Sequence, residues 1–431
     1  MLFFVFSPAT IEGAMKKQKT TKSVYSLFSQ FVQLIPDTII QEIENLYAID
    51  ARIFTVKSHL FSLLYAHLAH ALSLNEVCDS LQSHIDYLST IKGFVAPKLN
   101  TFSHANRTRD TRFIEKLYWK LLDYLKSQYS GFGSSSRLKS YQKKFRATIK
   151  AIDSSTIPLT LCSMDWAKHR AKKAAAKLHL SLDVVNHIPT CVIVEEASHH
   201  DSTRAEGLLV NYSEKEILLA DRAYNEYDLY KLLIKKGIYF VFRAKKNMLY
   251  EEVEDVSTCL SDELPLTESK IVSDKKIHCT GAKARKDKDA PIELRIVRAI
   301  VKVNGIDVEM EFLTNNFTWD PQSVCDLYKA RWEIELFFKE LKQTLQFKQF
   351  FGFNEKAVQW QIWTGLIANL LMAFVKFQSN WKMSFTRLVG LVRNCIWDNR
   401  SLDDILSSCG IAGKPPNSKD SPIQLELGQK D

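Results

Sequence analysis

No apolar run in this chain reaches the roughly 18 residues that a membrane span requires. The longest candidate, residues 362–375, contains Gly365 and Asn369 and fits a buried helix. The N-terminal MLFFVF is too short for a signal peptide and lacks a basic lead; Met15, followed by KKQKTTK, is a second candidate start. The 8 cysteines are scattered without a CxxC pair, which argues against a zinc module and a disulfide framework. A reducing cytoplasm is the expected setting. His59, His67 and His70 lie in the apolar stretch 54–72 without any metal-ligand spacing, so they read as core or surface histidines. What remains is ordinary globular material: 431 residues, 46% hydrophobic and 25% charged, enough for two or three domains. The net charge of +9 and a pI near 8.9 favour an anionic partner.

Residues 15–130 read as helical. Arg107, Arg109 and Arg112 stand close together in SHANRTRDTR and open onto a helix that runs to about Tyr124. Arginines at a helix start suit phosphate contacts, and a solvated basic face accounts for them equally. GFGSSSR (131–137) is a linker and marks a domain boundary.

Beyond the linker the period changes from helical to alternating. Residues 145–161 form an expected strand carrying Asp153, and a basic loop (AKHRAKKAAAK, with Lys172) leads into a second strand near 178–185. A third strand over 190–197, a short helix, a brief buried strand at 217–220, a helix over 227–236 and a fifth strand at 238–244 follow. This order matches the ribonuclease-H-like arrangement, an α/β fold with a mixed sheet and helices on both faces. Residues 291–316 alternate like a hairpin turning at Asn304-Gly305, a β-rich insertion into that core.

The stretch 319–352, WDPQSVCDLYKARWEIELFFKELKQTLQFKQFFG, organises the rest. Asp320 followed by Pro321 is a helix start, with an acceptor at the cap and a proline where no N–H is needed. Leu327, Ile334, Phe337, Phe338, Leu341 and Leu345 then fall on one side at about 100° per residue. Beside this stripe, Tyr328, Arg331, Glu335 and Lys342 share an arc of roughly 60° on an unbroken helix. A row of solvated i,i+4 ion pairs would give the same face, since Arg331–Glu335 and Glu335–Lys339 both have that spacing.

The spacing Tyr328, Arg331, Glu335, Lys342, with Trp332 after the arginine and two phenylalanines after the glutamate, resembles the signature of the insertion-sequence-four family of DDE transposases. Upstream, IDSSTI around Asp153 resembles that family's first-aspartate strand. DRAY at Asp221 resembles its second motif, with Ala223 where glycine is usual. The resemblance implies that Asp153, Asp221 and Glu335 are the catalytic carboxylates and metal ligands. It implies that Tyr328, Arg331 and Lys342 hold DNA phosphates, with Arg222, Arg243 and Lys172 as further contacts. Asp183 and Asp201 compete for the aspartate roles but lack the flanking pattern. Converging carboxylates repel unless cations intervene, and hard oxygen donors select Mg²⁺ or Mn²⁺. Two such ions are expected, activating a water or 3′-hydroxyl and stabilising the leaving oxygen.

The expected function is cleavage of insertion-sequence ends and joining of their 3′ ends to target DNA. The enzyme is expected to be a homodimer on DNA and to be cytoplasmic, associated with the nucleoid and free of membrane. The expected layout is a helical N-terminal domain over 15–130 that binds DNA ends through Arg107, Arg109 and Arg112. A catalytic core over 138–365 follows, with its β insertion at about 246–317. C-terminal helices over 366–409 and a disordered tail over 410–431 complete the chain. A metal-dependent nuclease of the same fold, or an inactive DNA-binding relic, are the alternatives; three intact carboxylates argue against the relic.

Overall fold

The computed structural model describes residues 23–47, 51, 53–129, 131–132, 138–159, 174–197, 200–256, 269–280, 292–344, 350–352 and 354–408. Its centre is a nine-stranded mixed sheet. In chain order the strands are β1 (Ile149–Leu159), β2 (Ala174–Asp183), β3 (Ile188–Glu196), β4 (Ile217–Ala220), β5 (Tyr239–Arg243), β6 (Tyr250–Asp255), β7 (Ser269–Cys279), β8 (Glu293–Val303) and β9 (Ile306–Thr314). They lie side by side in the order 3-2-1-4-5-9-8-7-6. β4 pairs parallel to both β1 and β5, and the other neighbours are antiparallel. Parallel strands covered on both faces need no polar alternation, and every residue of β4 is buried.

The hairpin expected at Asn304-Gly305 joins β8 to β9, with φ of 51° and 81° at those two residues. Two positive φ values make the turn whose twist suits the flanking strands, and Asn-Gly is the pair that adopts it most readily. The inserted strands do more than decorate the core. Val241 of β5 pairs with Thr314 of β9, so the insertion extends the same sheet.

Side-chain alternation sorts the sheet into two faces. Ile149, Ala151, Ile217, Leu219 and Val241 join one apolar cluster with Leu327, Ile334, Phe337, Phe338 and Leu341. Ile152, Leu218, Ala220, Phe240 and Phe242 join the other, with the helix Tyr227–Lys235. The first face therefore receives the stretch that carries the four-residue signature.

That stretch is two helices rather than one. Pro321–Ala330 starts as expected, with the Asp320 carboxylate accepting the Ser323 N–H at 2.9 Å. It ends at Arg331, and Trp332–Thr344 begins on the next residue. The Arg331 N–H bonds the Tyr328 carbonyl, and the Ile334 N–H bonds that of Arg331, both at 3.1 Å. These i→i+3 closures tighten the chain and interrupt the α-helical phase. The single unbroken helix expected from periodicity is corrected here: neither proline nor glycine marks the break, so tertiary contacts set it.

Contrary to the expectation from uninterrupted apolar runs, the helix Glu355–Gln378 is by length and composition apolar enough to cross a membrane, but 89% of its most apolar window is buried inside the protein. It packs against Val56–Ala69 and Arg112–Gln128 of the N-terminal helices. Asn354, Lys356 and the Trp360 indole donate to the carbonyls of Arg107, Thr108 and Arg109 at 2.9, 3.2 and 3.3 Å. His59 is fully buried against Trp360, and His67 Nε2 meets the Gln361 carbonyl at 2.8 Å. Burial pushes their pKa values down to about 3 and about 4, which fits neutral core histidines. One continuous apolar core thus links the N-terminal helices to the chain that follows the signature.

Candidate active site

Ala151 of β1 pairs with Leu219 of β4 in parallel register. Two residues further along each strand come Asp153 and Asp221, so the pleat directs both toward the face covered by the signature helices. Asp221 lies just past the end of β4, where its carboxylate caps the turn Arg222–Tyr224 by accepting the Ala223 N–H at 2.8 Å. Asp153 Oδ1 accepts the Ser154 N–H at 2.7 Å. Glu335 is on the first turn of Trp332–Thr344.

Arg331 ties this set together. Its Nη1 lies 3.6 Å from Asp153 Oδ2, and its Nη2 lies 2.5 Å from Glu335 Oε1. The guanidinium is also 5.5 Å from the centre of the Tyr328 ring, which itself packs on Phe312 of β9 at 4.8 Å. Burial works against the charge of Arg331, yet Tyr328, Glu335 and Asp153 together raise its pKa. Burial lifts the Asp153 carboxyl to about 6, from an ordinary value of 3.8. The Ser154 N–H and Arg331 pull it down, and the negative charges of Asp221 and Glu335 push it further up. Asp153 is therefore in electrostatic reach of both other carboxylates. Among the described residues, however, no three His, Cys, Asp or Glu side chains are set to hold a metal ion together.

The other candidates are spread around this centre. Lys342 Nζ donates to the Thr156 carbonyl of β1 at 3.1 Å, and burial lowers its pKa. Arg222 is exposed beside Asp221. Arg243 ends β5, close enough to Tyr328 for its charge to lower that phenol's pKa against the larger upward push of burial. Lys172 lies outside the described residues. Of the competing aspartates, Asp183 is a turn former that accepts the Val185 and Asn186 N–H groups at 3.1 and 3.0 Å. Asp201 takes the Ser154 hydroxyl at 2.5 Å and Lys177 at 2.9 Å, directly behind the Asp153 strand.

The N-terminal arginines divide. Arg107 is exposed in the last turn of Leu99–Thr108, and Arg112 opens Arg112–Gln128, exposed and paired with Asp110. Arg109 turns inward: it donates to the carbonyls of Thr55 and Phe54 and stacks 5.2 Å from the Phe54 ring centre. Burial pulls its pKa down to about 10. Two of its donors are thus spent on backbone acceptors, so it also serves as a structural clasp.

Tyr224 was hidden in the DRAY motif. Its side chain is 1% exposed, and its hydroxyl has no hydrogen-bond partner. Burial first, then the charges of Asp153, Asp201 and Asp221, hold its pKa well above the usual phenol value. The Asp153 carboxyl, lifted chiefly by burial and further by Asp221 and Glu335, is a group whose charged form a hard cation would favour. Asp153, Asp221 and Glu335 are hard oxygen donors of the type that takes a divalent metal, although among the described residues they are not gathered round one point.

The family model described as "Transposase DDE domain" matches residues 144–371, more than half of the chain. The chain belongs to the DDE-domain transposases. It is an enzyme that acts on DNA, and divalent-metal dependence goes with that domain. A second model, "Domain of unknown function (DUF4372)", matches residues 23–91 in the N-terminal helices.

A Sinorhizobium fredii protein named as transposase y4zB is 26% identical over 262 residues, covering 61% of this chain and 70% of the relative. A Geobacillus stearothermophilus protein named as the transposase for insertion sequence element IS5377 is 25% identical, covering 57% of this chain. The match spans 62% of that relative's length. A Synechocystis protein named as the transposase for insertion sequence element IS4SA is 23% identical over 275 residues, covering 64% of this chain and 70% of its own. Among solved structures, a piggyBac transposase synaptic complex with hairpin DNA aligns at a TM-score of 0.40 and 12% identity, over 91% of this chain and 81% of that one. At that score the likeness carries no argument.

Proposed function

We propose that this transposase cleaves DNA at the ends of an insertion sequence and joins the freed 3′ ends to target DNA, with Asp153, Asp221 and Glu335 as its catalytic carboxylates. The observation that carries the reading is the pairing of β1 with β4, which puts two aspartates far apart in sequence on neighbouring strands within the sheet, with Glu335 linked to Asp153 through Arg331. The strand order 3-2-1-4-5 supports a ribonuclease-H-like core, and the strands β6–β9 are its insertion.

Asp153, Asp221 and Glu335 would hold two Mg²⁺ or Mn²⁺ ions, which when bound would supply activation of the attacking hydroxyl and stabilisation of the leaving oxygen in phosphodiester transfer. The chain's own cations place the substrate. Arg331 and Lys342 grip phosphate oxygens by charge-assisted hydrogen bonds, and Tyr328 adds a phenol donor. Arg222 follows β4 and Arg243 ends the neighbouring β5, as further contacts. Arg107 and Arg112 give the N-terminal helices an exposed cationic rim for the element ends. The enzyme works as a homodimer on DNA, at the nucleoid.

The test is a strand-transfer assay on labelled duplex from the DNA flanking the gene, with Mg²⁺ and a target plasmid. Joined products that disappear in Asp153→Asn, Asp221→Asn and Glu335→Gln support the proposal. Cleavage without joining would make the chain a nuclease, and binding without cleavage a relic.

A further inference from the structure

The guanidinium of Arg331 has two edges that can grip a phosphate with paired donors: Nη1 with Nη2, and Nε with Nη2. Neither edge is open. Nη1 and Nη2 are turned to Asp153 Oδ2 and Glu335 Oε1, at 3.6 and 2.5 Å. Nε is buried and has no hydrogen-bond partner. The side chain as a whole is 11% exposed. A phosphate that takes a paired edge therefore competes with these carboxylates for the guanidinium. The same two carboxylates are those a divalent cation would take. A guanidinium beside a carboxylate weakens that carboxylate's hold on a metal ion, because the two cations repel and share its charge.

The backbone leaves room for such a move. Arg331 belongs to neither helix; it is the junction residue between Pro321–Ala330 and Trp332–Thr344. Its side chain stands over the Tyr328 ring, a flat surface across which a guanidinium can turn while keeping its stacking contact.

We infer that Arg331 is an internal counter-cation that competes with divalent metal for Asp153 and Glu335 and yields when a DNA phosphate takes its guanidinium, so that metal loading is coupled to DNA binding. This rests on the carboxylate assignment proposed above. Coupling of this kind is reciprocal: whatever factor DNA adds to metal affinity, metal adds to DNA affinity. Before DNA arrives, Arg331 offsets the repulsion within the acidic cluster and keeps the nuclease chemistry idle.

The experiment measures Mn²⁺ affinity of the full chain from the free-ion electron paramagnetic resonance signal, with and without a blunt duplex from the DNA flanking the gene. Without DNA, Arg331→Gln should bind Mn²⁺ about tenfold more tightly than wild type, within the usual span of coupling energies. Arg331→Lys keeps the charge but cannot bridge two carboxylates, and should fall between the two. Adding duplex should tighten Mn²⁺ binding in wild type by a similar factor and leave Arg331→Gln nearly unchanged.

Equal Mn²⁺ affinity in wild type and Arg331→Gln overturns the coupling, provided Asp153→Asn and Glu335→Gln lose binding. If those two variants bind Mn²⁺ like wild type, the carboxylate assignment itself falls. Wild-type behaviour in Arg331→Lys would reduce the effect to net charge and overturn the bridging argument. Should Arg331→Gln fail to fold by circular dichroism, the Arg331→Lys comparison decides.

Discussion

Replacing Asp153 by asparagine should stabilise the protein without metal, and the gain should depend on pH in a defined direction. The carboxyl titrates at about 6 in the fold, against an ordinary 3.8. A difference of roughly two units is worth about 3 kcal/mol, at about 1.4 kcal/mol per unit. The side chain keeps some solvent contact, at 23% exposure, so about 1–3 kcal/mol is the realistic range. The sign follows from which state holds the proton more tightly. A raised folded pKa means the fold prefers the neutral acid, so wild-type stability falls as pH rises from about 4 to about 6 and is flat above that. Asparagine does not titrate. The variant's advantage should therefore vanish near pH 4, reach about half its full size at pH 5, and be complete by about pH 8. With an unfolding entropy of about 2.1 cal/mol/K per residue, 1–3 kcal/mol corresponds to a rise in Tm of about 1–3 °C. Thermal melts in EDTA at several pH values would measure it. Adding Mg²⁺ should narrow the gap, because only wild type gains from ligand binding. A variant less stable than wild type at pH 8, or an advantage that does not change with pH, would refute the reasoning.

Arg295 is fully buried, doubly bonded to Asp274 and donating to the carbonyls of Asn316 and Trp319 just before the first signature helix. Arg295→Met strands a carboxylate that is only 11% exposed and should cost about 3–5 kcal/mol in urea denaturation; a loss under about 1 kcal/mol would show the clasp to be dispensable. His187, in the turn between β2 and β3, faces Glu333 at 3.5 Å and Glu340 at 3.1 Å. Burial lowers its pKa, but those hydrogen bonds outweigh it and leave a net rise above 6.5. The stabilisation is thus present below about pH 6.5 and lost as pH rises through the folded pKa. His187→Gln should lower Tm more at about pH 6 than at about pH 9, and an equal drop at both would contradict the ion-pair account. Tyr224→Phe removes an orphan hydroxyl, so without metal it should be as stable as wild type or up to about 1 kcal/mol more so; a clear loss in calorimetry would mean the hydroxyl has a partner.

What the sequence disclosed was local chemistry. Asp320-Pro321 starts a helix because an acceptor and a missing N–H are needed there, and Asn304-Gly305 turns a hairpin because both residues tolerate positive φ. The alternating runs carrying Asp153 and ending at Asp221 could be read as strands for the same reason. The parts that stayed hidden depend on partners far away in the chain. Nothing in NRTRDT separates Arg109 from Arg107 and Arg112; the difference is that the carbonyls of Phe54 and Thr55 lie within reach of one of them. Arg295 looks like one more cation on an alternating strand until its strand pairs with β7 and meets Asp274. The extension of the sheet by β6–β9 likewise depends on an open edge at β5, which no local pattern announces.

Arg331 shows why spacing alone left two readings of the signature face. The i,i+4 pair with Glu335 exists, as a plain ion-pair row would have it. Had the helix run on unbroken, that pair would be an exposed contact worth about 0.3–0.5 kcal/mol. The break after Ala330 changes its surroundings: the guanidinium is largely buried, and it also reaches Asp153 on β1. In that setting the pair can no longer be replaced cheaply, because removing the arginine leaves two carboxylates facing each other beside a third. The same residue thus satisfies the structural account and creates the functional one. A cation held between Asp153 and Glu335 weakens their pull on any other cation until it is drawn away.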